Sequence, residues 1–330
     1  MKYMKIGNST VTASVITLGA WSMGGGNWWK NAEDQQSIRT IHYALELGVT
    51  TIDTAPIYGC GHSEEIVGKA IAGKRSQYVL STKATFDWDT GVGRYCYDVD
   101  GHKIYIDHSY AAIKKDCENS LRRLGTDYID IYYLHNPAKD TEEYPVEETV
   151  RALLELKQAG KIRAIGLSNV RPEHIEAYRA CGCEIDIVQR KYSMLERSVE
   201  TDILPLCKKY GMSFHAYSPL ERGLLTGSVK SDAIVPPGDA RDGQPWWKPD
   251  KLPLAVQFVQ DLHDICVELG CTNTELALAF LLNQGDYINV ICGAHKPEQI
   301  AADVTAVDVI LPANTLAEIR ARLVDLENAG

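Results

Sequence analysis

Short runs of β-branched and apolar residues recur along the chain, and each is followed by a stretch whose apolar positions fall three and four apart. The runs suit strands buried on both faces, and the stretches suit helices that bury one stripe. The strands predicted are Val15 to Leu18, Thr51 to Thr54, Tyr78 to Thr82, Tyr128 to Leu134, Ala164 to Leu167, Ile185 to Gln189, Ser213 to Tyr217 and Ile288 to Cys292. Glycines 48, 73, 125, 160, 182, 211 and 285 each follow a helical stretch and precede a strand, where a helix ending in left-handed geometry favours a residue without Cβ. Ser37 to Leu45 is one such stretch: Ile38, Ile41 and Leu45 share a face, and Gly48 closes the helix before Val49. Eight repeats of strand and helix predict an α/β fold of the (β/α)8 TIM barrel type over a single domain, residues 1–330, rather than an open doubly wound sheet with a second domain. Ahead of the first repeat, Lys2 to Ile6 and Val11 to Ala13 flank Gly7, Asn8 and Ser9. They read as an N-terminal β-hairpin able to plug the amino end of the barrel.

The chain has 330 residues, against about 250 for a typical barrel of this kind. The surplus sits in three long βα loops, Ser22 to Asn31, Ala84 to Asp107 and Leu220 to Pro253. Barrel active sites lie at the carboxyl ends of the strands, so these insertions fall where a substrate site would be shaped. With 34 Lys and Arg against 44 Asp and Glu the net charge is −10, which argues against broad neutralisation of nucleic-acid phosphates. The nine cysteines are scattered without paired metal-ligand spacing, and they read as reduced thiols. The longest apolar run, Leu276 to Leu282, is too short to span a bilayer, and the amino terminus lacks the apolar core of a signal peptide. The expectation is a cytoplasmic protein without membrane or nucleic-acid partners, and a homo-oligomer is left open. The nine histidines show no H-E-x-x-H or similar spacing, so no metal is expected.

Polar residues at the strand ends are the candidates for chemistry. Asp53 lies at the end of the second strand, Lys83 just after the third and His135 just after the fourth, and Tyr58 follows Asp53 in the loop TIDTAPIYG. Singly, each has a plain structural use as a cap, a surface charge or a packed ring. Jointly, an Asp and a Lys from neighbouring strands can pair, and a cation beside a phenol favours phenolate and lowers its pKa, making a tyrosine able to pass a proton. GGG at Gly24 to Gly26 lacks the spacing of a dinucleotide fingerprint.

These residues lie within longer motifs: LGAWSMGGG from Leu18, TIDTAPIYGCGHSEEIVGKAI from Thr51, LSTK ending at Lys83, SLRRLGTDYIDIYYLH ending at His135, GKIRAIGLSN ending at Asn169, YSPLERGLLTG from Tyr217 and CGAHKPEQI from Cys292. Through them the chain resembles, over nearly its whole length, the aldo-keto reductases. The likeness is to the branch with bacterial methylglyoxal-type and inositol-operon reductases and the potassium-channel β subunits. The resemblance implies hydride transfer between NAD(P)H and the carbonyl of a small aldehyde, ketone or sugar-derived substrate. In that reading Tyr58 gives the proton, Lys83 held by Asp53 tunes it, and His135 orients the carbonyl oxygen. It implies a cofactor lying on Ala20 and Trp21, with Ser168, Asn169 and Gln189 at the carboxamide and Tyr217 stacked under the nicotinamide. Ser218, Pro219, Leu220, Gly223 and Leu224 would follow the pyrophosphate, and Gly293, His295, Lys296, Gln299 and Asp303 would meet the adenosine end. Ser228 stands where the family often has Lys, and Ala302 with Asp303 stands where it often has Glu-Asn. His295 and Lys296 tilt the expectation toward NADPH, with NADH also accepted. Aromatic residues crowd the long loops, and Trp28, Trp88 and Asn136 are the candidate substrate contacts. Two other readings stay open: an NAD(P)H-binding regulatory subunit with slow turnover, and a barrel lyase or isomerase using Lys83 as a Schiff-base nucleophile.

Overall fold

The structure is a computed structural model that describes residues 1–29, 32–137 and 144–329. The last two residues of the first long loop, Lys30 and Asn31, therefore lie outside the described residues.

The chain opens with a hairpin of β1 (Tyr3–Lys5) and β2 (Thr12–Ser14), which pair antiparallel. Its inward residues Met4, Ile6, Val11 and Ala13 pack on Ile131, Tyr133, Ala164 and Ile187, so the hairpin closes the amino end of the barrel. The barrel strands are β3 (Ile16–Gly19), β4 (Thr51–Asp53), β5 (Val79–Ala84), β9 (Ile129–Leu134), β10 (Ile162–Ser168), β11 (Ile187–Lys191), β12 (Ser213–Tyr217) and β13 (Ile288–Gly293). They follow one another in sequence order around a closed parallel barrel, with β13 returning to β3. All eight coincide with the predicted runs, their ends displaced by no more than two residues.

The helices cover the outside. The βα pattern is carried by α1 (Asp34–Glu46), α2 (His62–Ile71), α3 (Tyr110–Leu124), α4 (Val146–Gln158), α5 (Pro172–Ala180), the short α6 (Val199–Asp202) and α7 (Leu204–Tyr210), α8 (Leu252–Asp261), α9 (His263–Leu269), α10 (Asn273–Leu282) and α11 (Pro297–Val304). A terminal α12 (Ala313–Ala329) packs on α8. In α1, Ile41 and Ala44 are fully buried and Ile38 and Leu45 pack against the same core. Helix ends follow local chemistry. Ser109 accepts the amide of Ala112 at the start of α3, and Gly125 at φ 64° ends it. Thr272 and Glu275 form a reciprocal capping box on α10. Gly285, at φ 158°, departs from the expected left-handed turn.

The second long loop holds an element that the hydrophobic pattern did not predict. Between β5 and α3 the chain builds a three-stranded antiparallel sheet of β6 (Phe86–Asp87), β7 (Arg94–Val99) and β8 (His102–Ile106), in the order β6, β8, β7. Only one face has a partner, made of Ala55 and Ile57, so β7 is mostly exposed and shows no clean alternation.

Candidate active site

The carboxyl ends of the strands bring Asp53, Lys83, Tyr58 and His135 together. Lys83 Nζ donates to Asp53 Oδ2 at 2.7 Å, to the Thr54 carbonyl at 2.9 Å and to the Tyr58 hydroxyl oxygen at 3.2 Å. Those three bonds use all three of its hydrogens, and the side chain is 0% exposed. Asp53 Oδ1 accepts from Ser81 at 2.7 Å and from Gln189 at 3.0 Å. Burial acts to lower the Lys83 pKa, but Asp53 and then Tyr58 outweigh it and hold the ammonium charged.

The expected lowering of the Tyr58 pKa is not what results. Burial raises it, Lys83 opposes and Asp53 adds to the rise, so the net direction is up. The physical reason is that burial costs the phenolate more than the Lys83 charge returns, and the Asp53 charge adds to the rise. Tyr58 is thus held as a phenol, in the proton-donating form. The ring of His135 stands edge-on to Tyr58 with centroids 6.0 Å apart and to Phe86 at 5.0 Å. Burial, helped by the Lys83 charge, holds His135 neutral, and its buried Nδ1 has no partner.

Above these residues opens a cavity of about 580 Å³. Tyr58, His135 and Asp53 reach its floor, while Lys83 stays behind them. Of the other residues singled out in the sequence, Trp21, Ser168, Asn169, Gln189, Tyr217, Ser218, Pro219, Leu220, Gly223, Gly293, His295, Gln299 and Asp303 line it. Ala20, Leu224, Lys296, Trp28, Trp88 and Asn136 do not. Ala20 is buried and ties strand ends together, its amide donating to Asp53 O and its carbonyl accepting from Ser63. Leu224 belongs to the core. Trp28 packs on the loop cluster with Ile57 and Phe86, and Trp88 lies under Arg123 in a separate groove. The main-chain oxygen of Asn136 accepts from His108.

Two lining amides are already engaged within the protein. Asn169 Nδ2 donates to the His135 carbonyl at 2.9 Å, and its Oδ1 accepts from Tyr217 at 2.8 Å. Gln299 Oε1 caps α11 by accepting from the amides of His295 and Lys296. Asp303 is buried against the Cys292 thiol with no cation beside it, and burial pushes its carboxyl up to about 7.

Sequence reasoning missed Arg222 and Glu298 on the wall, and it had Trp29 there only as one of the aromatics crowding the long loops. Arg222 lies over the Trp21 ring at 5.2 Å, with its buried Nε unpartnered. It sits in a turn where Ser218, Glu221, Arg222 and Gly223 all take positive φ. That costly backbone is pinned by the buried Glu221 carboxylate, which bonds Ser193 at 2.7 Å and Lys191 at 2.8 Å, and by Trp247, which donates to the Glu221 carbonyl. The signal in the sequence was the adjacent Glu and Arg inside SPLERGLL, but which of the two faces inward depends on the turn.

The donor set suits a nicotinamide dinucleotide: an aromatic face at Tyr217, hydroxyl and amide groups at Ser168 and Gln189, and a cation at Arg222. Among the described residues no group of three or more His, Cys, Asp or Glu side chains could hold a metal ion. No single described helix is long and apolar enough to cross a membrane.

A profile of the Aldo/keto reductase family matches residues 15–323, and the chain belongs to that family. It is 40% identical over 313 residues to the NADH-specific methylglyoxal reductase of Escherichia coli (strain K12), covering 94% of this chain and 95% of that one. It is 37% identical over 305 residues to the aldo-keto reductase YhdN of Bacillus subtilis (strain 168), covering 92% and 87%. Among solved structures it is similar to the glycerol dehydrogenase AKR11B4 from Gluconobacter oxydans, with a TM-score of 0.88 and 33% identity over 98% of this chain and 95% of that one. It is also similar to an aldo/keto reductase from Klebsiella pneumoniae in complex with NADP and acetate, with a TM-score of 0.73 and 30% identity over 97% and 94%. The protein is an oxidoreductase that uses a nicotinamide cofactor to reduce carbonyl compounds.

Proposed function

We propose that the protein, as one reductase domain over residues 1–330, reduces small aldehydes and ketones, dicarbonyls and sugar-derived carbonyls among them, with Tyr58 as the proton donor. The observation that carries this is the direction of the Lys83 hydrogen bond. Because the ammonium donates to the phenol oxygen at 3.2 Å, the phenol hydrogen is free to point into the cavity. A reduced nicotinamide supplies the hydride. Tyr58 delivers a proton to the carbonyl oxygen, and neutral His135 donates a hydrogen bond to the same oxygen, so charge developing there meets fixed donors. Tyr217, Gln189 and Ser168 orient the nicotinamide face, and Arg222 meets the pyrophosphate.

The use of Lys83 as a Schiff-base nucleophile is disfavoured by its burial and its three oxygen partners, which keep it charged and sealed from substrate. Cofactor choice falls to NADH in this reading, a change from the tilt given by His295 and Lys296. Lys296 is off the wall, burial and Lys296 hold His295 below its usual pKa and so neutral, and the carboxylates of Glu298 and Asp303 are on the wall. A 2′-phosphate would meet the charge of Glu298 there, and that of Asp303 once its carboxyl ionises above about 7. The test is a panel of aldehydes, dicarbonyls, ketones and hydroxylated carbonyls assayed for oxidation of NADH and NADPH, with borohydride trapping alongside. Turnover of carbonyls without any trapped adduct is expected. Absence of turnover across the panel, or a trapped lysine adduct, overturns the reading.

A further inference from the structure

The run Gly24-Gly25-Gly26, which is no dinucleotide fingerprint, ties the first long loop to the catalytic loop and to the second long loop. Gly24 lies backbone to backbone on the residues at Tyr58. A Cβ at Gly24 would come within 2.7 Å of the Tyr58 carbonyl carbon, and one at Gly59 would overlap the Gly24 carbonyl oxygen. Gly25 and Gly26 then take φ 65° and 70°, a left-handed backbone that glycine adopts without steric cost. They lead into a turn over Gly26 to Trp29, closed by the Trp29 amide on the Gly26 carbonyl at 3.3 Å.

That turn is held from the second loop. Between β7 and β8 stand Asp100 and Gly101, at φ 52° and 80°, the two positive values that a tight hairpin turn needs. Asp100 Oδ1 accepts the Asn27 amide at 2.8 Å. Its Oδ2 lies against Gly26, where any Cβ would collide with it, so glycine is what leaves the carboxylate room. Trp28 and Tyr97 pack on the cluster of Phe86, Val99 and Ile104, so the antiparallel sheet grips the turn through one polar and one apolar contact. The next residue, Trp29, is instead on the cavity wall, edge-on to Trp21 at 5.4 Å, and Trp21 stands 6.3 Å from the Tyr58 ring.

We propose that Asp100 is a positioning residue that sets substrate specificity: by seating the turn of Gly26 to Trp29 it fixes where the Trp29 ring stands. The inference rests on the reading that the carbonyl substrate meets Tyr58 beside Trp29. Asp100 is not itself on the cavity wall, so the second loop shapes the substrate site through the first. A carboxylate on a backbone amide is a charge-assisted bond, stronger than a neutral one. A ring fixed by it limits the room beside the carbonyl carbon, and a ring free to shift yields that room to a bulkier substituent.

The test measures kcat/KM for methylglyoxal and for the bulkier phenylglyoxal with NADH. Asp100→Gly suits the same hairpin turn, which accepts two glycines, and removes only the carboxylate. It should lower the preference for the smaller substrate by about tenfold, the size of one charge-assisted hydrogen bond. The change should come through a lower KM for phenylglyoxal, with kcat for methylglyoxal and the Kd for NADH as in the wild type. Asp100→Asn keeps the turn and an acceptor oxygen and should retain the wild-type ratio. Trp29→Ala should lower the ratio by itself, and adding Asp100→Gly to it should change nothing further, because both act through one ring. A ratio moved by Trp29→Ala but not by Asp100→Gly, or additive effects in the double variant, overturns the positioning role alone. So does an equal loss for both substrates with weaker NADH binding. A ratio unmoved by Trp29→Ala overturns the placement of the substrate, and the positioning role with it.

Discussion

Lys83 and Tyr58 meet head to oxygen: the ammonium gives a hydrogen to the phenol at 3.2 Å, and the phenol keeps its own. The same lysine is bound more closely by Asp53 at 2.7 Å, so its field on Tyr58 is weakened and burial decides the net pKa, which rises. Tyr58→Phe keeps the ring and removes only the donor. Carbonyl reduction should fall by about 10² to 10⁴, with cofactor binding by fluorescence titration little changed. Wild-type turnover in this variant would remove Tyr58 from the chemistry. In the intact enzyme reduction should not lose its proton donor as pH is raised toward 10, because the phenol titrates above its usual 10.0.

Arg222 is the cation on the cavity wall beside the strained turn. Arg222→Leu should raise the KM for either dinucleotide by about tenfold or more, the size of a charge-assisted contact, with a smaller change in kcat. Added salt should weaken wild-type cofactor binding more than it weakens binding to the variant. Equal salt dependence would place the pyrophosphate elsewhere.

The buried carboxyl of Asp303, ionised above about 7, discriminates between the two cofactors in the proposed reading. Asp303→Asn should shift kcat/KM toward NADPH by about tenfold, equivalent to ~1.4 kcal/mol, and Lys296→Ala should leave the ratio unchanged. A wild type that prefers NADPH, or a Lys296→Ala variant that loses it selectively, would return the choice to the residues at the start of α11.

Trp29, not Trp88, stands on the cavity wall, edge-on to Trp21 at 5.4 Å and with its buried Nε1 unpartnered. Trp29→Ala should reorder kcat/KM across a panel of carbonyl substrates. Trp88→Ala, in its separate groove under Arg123, should leave the ranking as it is. The opposite pattern would show that the second loop, rather than the first, shapes the substrate.

Asp116 accepts the Thr85 amide at 2.9 Å and is buried, which pushes its carboxyl from 3.8 up to about 7. A folded pKa above the unfolded value means stability that is full below 3.8 and lost as pH rises through about 7. The loss is on the order of a few kcal/mol. Asp116→Asn, which mimics the neutral acid, should raise the thermal midpoint at a pH of about 8 and change it little at about 4, where the wild-type group is already neutral. A stabilisation independent of pH would assign the effect to packing.

How far the sequence could be read depended on the range of each interaction. The eight strands and the glycine stop of α3 at Gly125 were legible because apolar period and helix-ending chemistry act over a few residues. The antiparallel sheet of β6, β7 and β8 was not, since β7 carries exposed Tyr95 and Val92 precedes it, with no alternation to mark a buried face. The crowding of tryptophans in the third loop was visible, but their task was not: Trp247 donates to the Glu221 carbonyl and Trp246 to that of Leu195, both holding loops rather than facing the cavity.

By itself the sequence determined the repeat of strand and helix, hence the barrel, and it placed Asp53, Tyr58, Lys83 and His135 at strand ends, because which residue ends a strand is a local matter. Tertiary structure decided what those residues are to one another. The rise in the Tyr58 pKa comes from burial and Asp53 outweighing Lys83, a balance that no spacing encodes. The inward turn of Arg222 depends on Glu221 reaching Lys191 and Ser193 from another strand end. The orientation of Gln189 is settled by Asp53 on another strand, whose Oδ1 accepts from its Nε2 at 3.0 Å. A hydrogen bond has a direction only once both partners are in place, and closure of the barrel is what puts them there.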